Sequence, residues 1–163
     1  MSVVFLLCAT LSTYAQSNKL GHINSTELLQ LMPEIKVADS TLQAYQKQVQ
    51  DQFQAMQTEG QQKYDDFQKN SATMPDAVKE VKTQELQDLQ NRISTFQQTA
   101  QDKFQAKKEE LYSPILKKAE DAIKAVAKEN NYAYVFDMGT GAVIYAQDAD
   151  DLMPLVKKKL GLK

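Results

Sequence analysis

Between Val37 and Tyr112 the apolar residues fall at helical spacing twice over, with one break between. On the first limb they stand at Ala38, Leu42, Tyr45, Val49, Phe53, Met56, Gly60, Tyr64 and Phe67. Every step is 3 or 4 residues, and their mean lies near the ~3.6-residue period of an α-helix, so the stripe stays on one face. The residues between are mostly Gln, Lys, Asp and Glu, which accept helical geometry and prefer water. The break, Asn70-Ser71-Ala72-Thr73-Met74-Pro75-Asp76, holds a proline suited to a first helical turn and an acid that favours a helix start. The second limb carries Val78, Val81, Leu86, Leu89, Ile93, Phe96, Ala100, Phe104 and Leu111. A short break between two amphipathic helices predicts an antiparallel hairpin. Limbs of about 33 residues would reach about 50 Å at ~1.5 Å per residue, longer than ordinary globular helices. The hairpin is therefore expected to project from a smaller body.

The flanks supply that body. Leu20 and Ile23 mark a short extended segment, and Asn24 can cap a helix with Glu27 three residues on. Leu28, Leu29 and Leu31 form its apolar face, and Pro33 ends it and opens the first limb at Glu34. Beyond Tyr112, Ser113-Pro114 either starts a new helix or kinks a continuous one. Ile115, Ala119, Ala122, Ile123, Val126 and Ala127 are its buried face, and Asn130-Asn131 ends it. Tyr132 to Asp137 has strand composition, Gly139-Thr140-Gly141 reads as a turn, and Ala142 to Ala146 as a returning strand, so a β-hairpin is predicted. Asp148 or Asp150 can cap a last helix from Asp151 to Leu160, with Gly161 as its stop. The fold class is thus α+β, mostly α. The hairpin covers 37–112, and the body covers 16–36 and 113–163. A sheet of two or three short strands is marginal alone, which predicts self-association.

Composition changes the picture at the N-terminus. Val3 to Ala9 is an apolar run of signal-peptide length, too short to span a membrane, and Thr13-Tyr14-Ala15 offers a small residue for cleavage before Gln16. Residues 1–15 are therefore expected to be a signal peptide, although the usual basic n-region is missing; the competing reading is a buried N-terminal helix. Cleavage would discard Cys8 and leave a mature chain without cysteine.

Candidate chemistry is sparse. His22 is the one histidine and is expected to be structural, so no His/Cys metal site or cofactor is predicted. The carboxylates Asp65-Asp66, Glu109-Glu110 and Asp148 to Asp151 have no pattern of a paired acid and base, and an enzyme is not expected. Gly139-Thr140-Gly141 lacks the length and setting of a phosphate loop. From Val37 to Tyr112 there are 9 Lys and Arg against 12 Asp and Glu, a net of −3. That sign argues against nucleic acid. What remains is the apolar stripe. Leu42, Val49, Leu86, Leu89 and Ile93 are expected to zip the limbs together. The distal set of Phe53, Met56, Tyr64, Phe67, Met74, Val78 and Val81 can do the same, or can stay open to a client, since Met and aromatic side chains adapt to irregular partners.

Both ends resemble a known family. Lys19-Leu20-Gly21-His22-Ile23-Asn24-Ser25, with Glu27-Leu28-Leu29 and Met32-Pro33-Glu34, resembles the opening of the Skp/OmpH family of periplasmic chaperones. Asn131 to Asp137, then Gly141 to Tyr145, resembles its closing strands, and Asp151 to Gly161 its terminal helix. The resemblance implies a homotrimer whose strands form a central barrel from which three hairpins hang. Ile23, Val135, Val143 and Ile144 would belong to that trimer body. It also implies a periplasmic, ATP-independent holdase that encloses unfolded outer-membrane proteins before their insertion. Such clients alternate apolar and polar residues and aggregate in water. One departure is charge: the best-known members are strongly basic, whereas this chain has a pI near 5.5, which argues against contact with anionic membrane surfaces. The competing function is a structural or adaptor coiled coil of the cell envelope that binds one folded partner.

Overall fold

Two helices dominate the computed structural model, which describes residues 19–163. The expected signal peptide and Cys8 lie outside the described residues. The chain runs β1 (Lys19–Ile23), α1 (Ser25–Leu31), α2 (Pro33–Asn70), α3 (Asp76–Glu129), β2 (Tyr132–Asp137) and α4 (Met153–Leu160), with single 3₁₀ turns at Met138–Thr140 and Asp148–Asp150. At 38 and 54 residues, α2 and α3 span about 57 and 81 Å at ~1.5 Å per residue. They pack against each other as the predicted hairpin. The tip closes tightly, with Ser71 N donating to Phe67 O at 2.8 Å and Met74 N to Asn70 O at 3.1 Å.

Pro114 sits inside α3, so the second limb and the body helix are one continuous element, and the expected division at 112/113 lies within it. The proline removes a main-chain donor and would weaken an isolated helix by about 3 kcal/mol. Packing compensates: Ile115, Ala119, Ala122 and Val126 follow at helical spacing, all buried in the body core. Side-chain ties across the root hold the limbs on either side of it. Tyr112 Oη donates to Asp39, and Lys118 pairs with Glu34. The hydrogen bond to Asp39 raises the Tyr112 pKa, and the hydrogen bond from Lys118 lowers that of Glu34.

The core lies in the body. Ile23, Leu28, Met32, Leu152 and Val156 are almost fully enclosed, and Ala38, Ile115, Ala119, Ala122, Val126 and Met153 complete it. α1 begins as expected, with Glu27 N donating to Asn24 Oδ1 at 3.1 Å. Asn131 adopts φ 58° after α3 and Gly161 φ 69° after α4, the left-handed stops that their residue types allow.

The sheet departs from expectation. No hairpin forms between 132–137 and 142–146. Instead β2 pairs in parallel with β1, in the register Leu20 to Tyr134, Gly21 to Val135, His22 to Phe136 and Ile23 to Asp137. The long crossover that a parallel pair requires is the whole helical hairpin. An irregularity between Lys19 and Leu20 shifts the alternation, so Tyr132 and Val135 both meet the core. Gly21 is needed at this point: a β-carbon would stand 2.8 Å from the Tyr132 ring and closer still to Leu152 Cδ1.

The predicted turn serves another purpose. Asp137 accepts from Gly139 N at 2.8 Å, Met138–Thr140 forms a 3₁₀ turn, and Gly141 at φ 72° ends it. A β-carbon on Gly139 would lie 2.8 Å from Thr26 Oγ1, so the turn is seated against the start of α1 instead of reversing the chain. Residues 142–147 then run without regular structure, with Val143 half-buried and Ile144 97% exposed. The last helix also differs, starting at Met153. The carboxylate that meets its first turn is Asp151, not Asp148 or Asp150, with Met153 N donating to Asp151 Oδ1 at 2.8 Å.

Candidate functional site

Two surfaces are available for partners, one on the hairpin and one on the body. The hairpin is only two helices thick, so each apolar side chain is covered from one side. Among the described residues Leu89 alone is buried along the limbs beyond the root. Phe53 stacks on Phe96 across the seam, ring centroids 6.4 Å apart and planes at 10°. Phe53, Met56, Phe67 and Met74 are half-buried, whereas Tyr64, Val78 and Val81 are exposed. The seven distal residues proposed from sequence therefore divide between seam and surface. Around them lie exposed charges: Lys82 pairs with Glu85 at 3.0 Å, and Lys63 reaches both Glu59 and Glu85 at 3.9 Å. The hydrogen bond from Lys82 lowers the Glu85 pKa. Exposed pairs of this kind contribute little to stability.

On the body, one face of the sheet is uncovered. Leu20, Tyr134 and Phe136 point away from the core and are exposed, and Ile144 and Tyr145 lie beside them. Leu20, His22, Phe136, Val143, Ile144 and Tyr145 line a recess of about 530 Å³. The outer edge of β1 is covered, because His22 pairs with Asp151 and Leu152 N donates to His22 O at 2.9 Å. The His22 ring lies 2.9 Å from the Gln147 carbonyl; a carbonyl only accepts, so Nε2 carries the proton. His22 thus tethers the irregular segment to the sheet.

The four body residues singled out from sequence do not share one face. Ile23 is 2% exposed inside the core and Val135 packs against it, while Val143 and Ile144 line the outer recess. Leu20, Tyr134, Phe136 and Tyr145, which the sequence pattern did not single out, are the other exposed apolar side chains here. The alternation of Tyr134 and Phe136 against Val135 was the available signal, but choosing the inner face required knowing that β1 is the partner.

Asp137 links these parts. Its carboxylate accepts from Ser25 N at 3.1 Å, Ser25 Oγ at 2.6 Å and Gly139 N at 2.8 Å. Partial burial works to raise its pKa, but the hydrogen bonds from Ser25 and Gly139 outweigh it, and the net displacement is downward. Its role is architectural, joining the end of β2 to the start of α1. Among the described residues no His, Cys, Asp and Glu cluster has the makings of a metal site, and no helix is long and apolar enough to cross a membrane.

With the geometry in place, comparison with known proteins is informative. The family model described as outer membrane protein (OmpH-like) matches residues 19–160. The protein named chaperone protein Skp in Pectobacterium atrosepticum is 24% identical over 155 residues, covering 95% of this chain and 93% of its own. Its namesake in Yersinia enterocolitica is 25% identical over 154 residues, covering 94% and 93%. A crystal structure of a putative outer membrane chaperone (OmpH-like) from Caulobacter crescentus CB15 superposes with a TM-score of 0.74 at 19% identity, covering 87% of this chain and 83% of that one, and shares the fold. The match spans the body and the hairpin alike, and the chain belongs to the OmpH-like family of outer membrane proteins.

Proposed function

We propose that this chain is an ATP-independent periplasmic holdase that binds unfolded outer-membrane β-barrel proteins and prevents their aggregation before insertion. The observation that carries the reading is the division of apolar surface. The body has a closed core, whereas the hairpin carries Tyr64, Val78 and Val81 exposed along limbs with almost no core of their own. Such a surface offers many weak contacts to an irregular chain. The relatives named chaperone protein Skp support the same role.

The working form is a homotrimer. The uncovered row Leu20, Tyr134 and Phe136, with the unpaired segment 142–147 beside it, is the kind of sheet surface that copies of one chain cover for each other. Three such bodies would close into a barrel, with the hairpins hanging around a client. Residues 1–15 direct the chain across the inner membrane. A net charge of −2 disfavours both nucleic acid and an anionic membrane surface as partners.

Native mass spectrometry of the mature chain tests this, alone and after dilution of a urea-unfolded outer-membrane β-barrel protein into it. The expected result is a trimer that gains one client and keeps it soluble. A trimer indifferent to the client but saturable by a folded envelope protein would favour the adaptor reading, and a monomer would overturn the assembly.

A further inference from the structure

Gly60 lies in the distal third of α2, and the packing does not demand a glycine there. A β-carbon would stand 3.6 Å from Ile93 Cδ1 and Leu89 Cδ2, ordinary contact distances. The position is regular helix, where glycine weakens the element relative to alanine. What the missing side chain does is open the surface. Beside Gly60 is a recess of about 480 Å³ between the limbs, with Leu89 and Ile93 in its lining and Gln57, Gln61, Gln90 and Gln97 around them. No charged residue lines it, on a hairpin otherwise dense in Lys, Asp and Glu. Gln57, Gln90 and Gln97 are exposed, so their amides face solvent. Gln61 Nε2 donates to Asp65 Oδ1 at 2.8 Å, which leaves its oxygen as an acceptor.

We propose that this recess docks the extended main chain of an unfolded polypeptide, with the glutamine amides bonding its peptide groups and Gly60 letting that chain approach α2 closely. The inference rests on the holdase reading and names one site within it. A carboxamide carries one acceptor and two donors, matching both halves of a peptide group, and being neutral it selects no client charge. An extended chain presents equivalent groups on one side every two residues, about 6.6 Å apart. Gln57 and Gln61, four helical residues apart, are offset by about 6 Å along α2. Gln90 and Gln97 on α3 provide the opposite wall. A strand of an outer-membrane barrel alternates apolar and polar residues. One apolar side chain can therefore settle towards Leu89 and Ile93 while its neighbours point to water.

The test uses two variants of the full mature chain and a urea-unfolded outer-membrane β-barrel protein as the probe. Gly60→Leu fills the recess, and the pair Gln57→Leu with Gln90→Leu removes two amides at exposed positions, where folding is least affected. Each is expected to weaken client binding about fivefold, with the oligomer mass unchanged. The side-chain NH₂ resonances of Gln57, Gln90 and Gln97 in the wild type are expected to shift on client addition. Wild-type affinity in a folded Gln57/Gln90 variant, or resonances that stay in place while the client binds, would overturn the site and leave the holdase role standing. If the wild type binds no client at all, both readings fall.

Discussion

Phe53 on α2 and Phe96 on α3 stack nearly parallel across the hairpin seam, with ring centroids 6.4 Å apart. They form an aromatic contact far from the body core, in a stretch where glutamine and charge dominate. Replacing Phe53 with alanine is expected to cost roughly 2 kcal/mol, about half the cost of a fully buried phenylalanine, because the ring is only half-covered. Amide hydrogen exchange should locate the loss in the limbs around residues 49–57 and 92–100. Equal acceleration throughout the body would show that the hairpin and body unfold as one unit.

Asp137 makes the body sensitive to acid. Its folded pKa is depressed, so its contribution is present at neutral pH, begins to fade as pH falls to its unfolded value near 4, and is lost once pH passes below the folded value. Asp137→Asn is expected to destabilise the body by roughly 1–3 kcal/mol at pH 7, since Ser25 and Gly139 lose a charged acceptor. Urea unfolding at pH 7 and pH 3 checks the sign: the gap between wild type and variant should narrow at the lower pH. A constant gap would mean that the charge is irrelevant.

Ile144 has almost no contact within its own chain. Ile144→Asp should therefore leave the helical content of the protomer unchanged while abolishing the trimer. Circular dichroism and sedimentation velocity separate the two effects. A trimer that survives would remove segment 142–147 from the proposed interface.

Val81 is 57% exposed on the hairpin. Val81→Ser combined with Val78→Ser should leave the melting temperature within about 2 °C, since exposed substitutions are nearly neutral. Client affinity should fall about threefold to tenfold for the apolar surface removed. Fluorescence titration with an unfolded outer-membrane protein measures this, and unchanged affinity would take both valines off the client surface.

Much of the architecture was legible in the order of residues. The two limbs, the tip at Asn70 to Asp76, the Asn24 cap and the stops at Asn131 and Gly161 all follow from local chemistry: helical periodicity, a side-chain acceptor for an orphan N–H, and residues that tolerate positive φ. The ends of the chain also carried enough family resemblance to identify the fold. The division of the distal apolar residues was not legible, because a 3-to-4 spacing places a side chain on a face without saying how thick the layer above it is.

The sheet shows where local reading stops. Tyr132 to Asp137 and Ala142 to Ala146 both have strand composition, and a glycine-rich turn between them suggested that they pair with each other. The structure pairs the first with Lys19–Ile23, more than a hundred residues away, and seats the turn on α1 through Asp137 and Gly139. Pro114 is a parallel case, since its local preference for a helix start is overridden by four buried residues on the turns that follow. By itself, then, the sequence determined the helical hairpin, its tip and the local caps, but not every element or its length: α3 runs through Pro114, and 142–146 forms no strand. The tertiary structure decided which strand meets which and which apolar face stays uncovered, because strand partnership and burial depend on contacts between residues distant in the chain, whose free energy no local pattern contains.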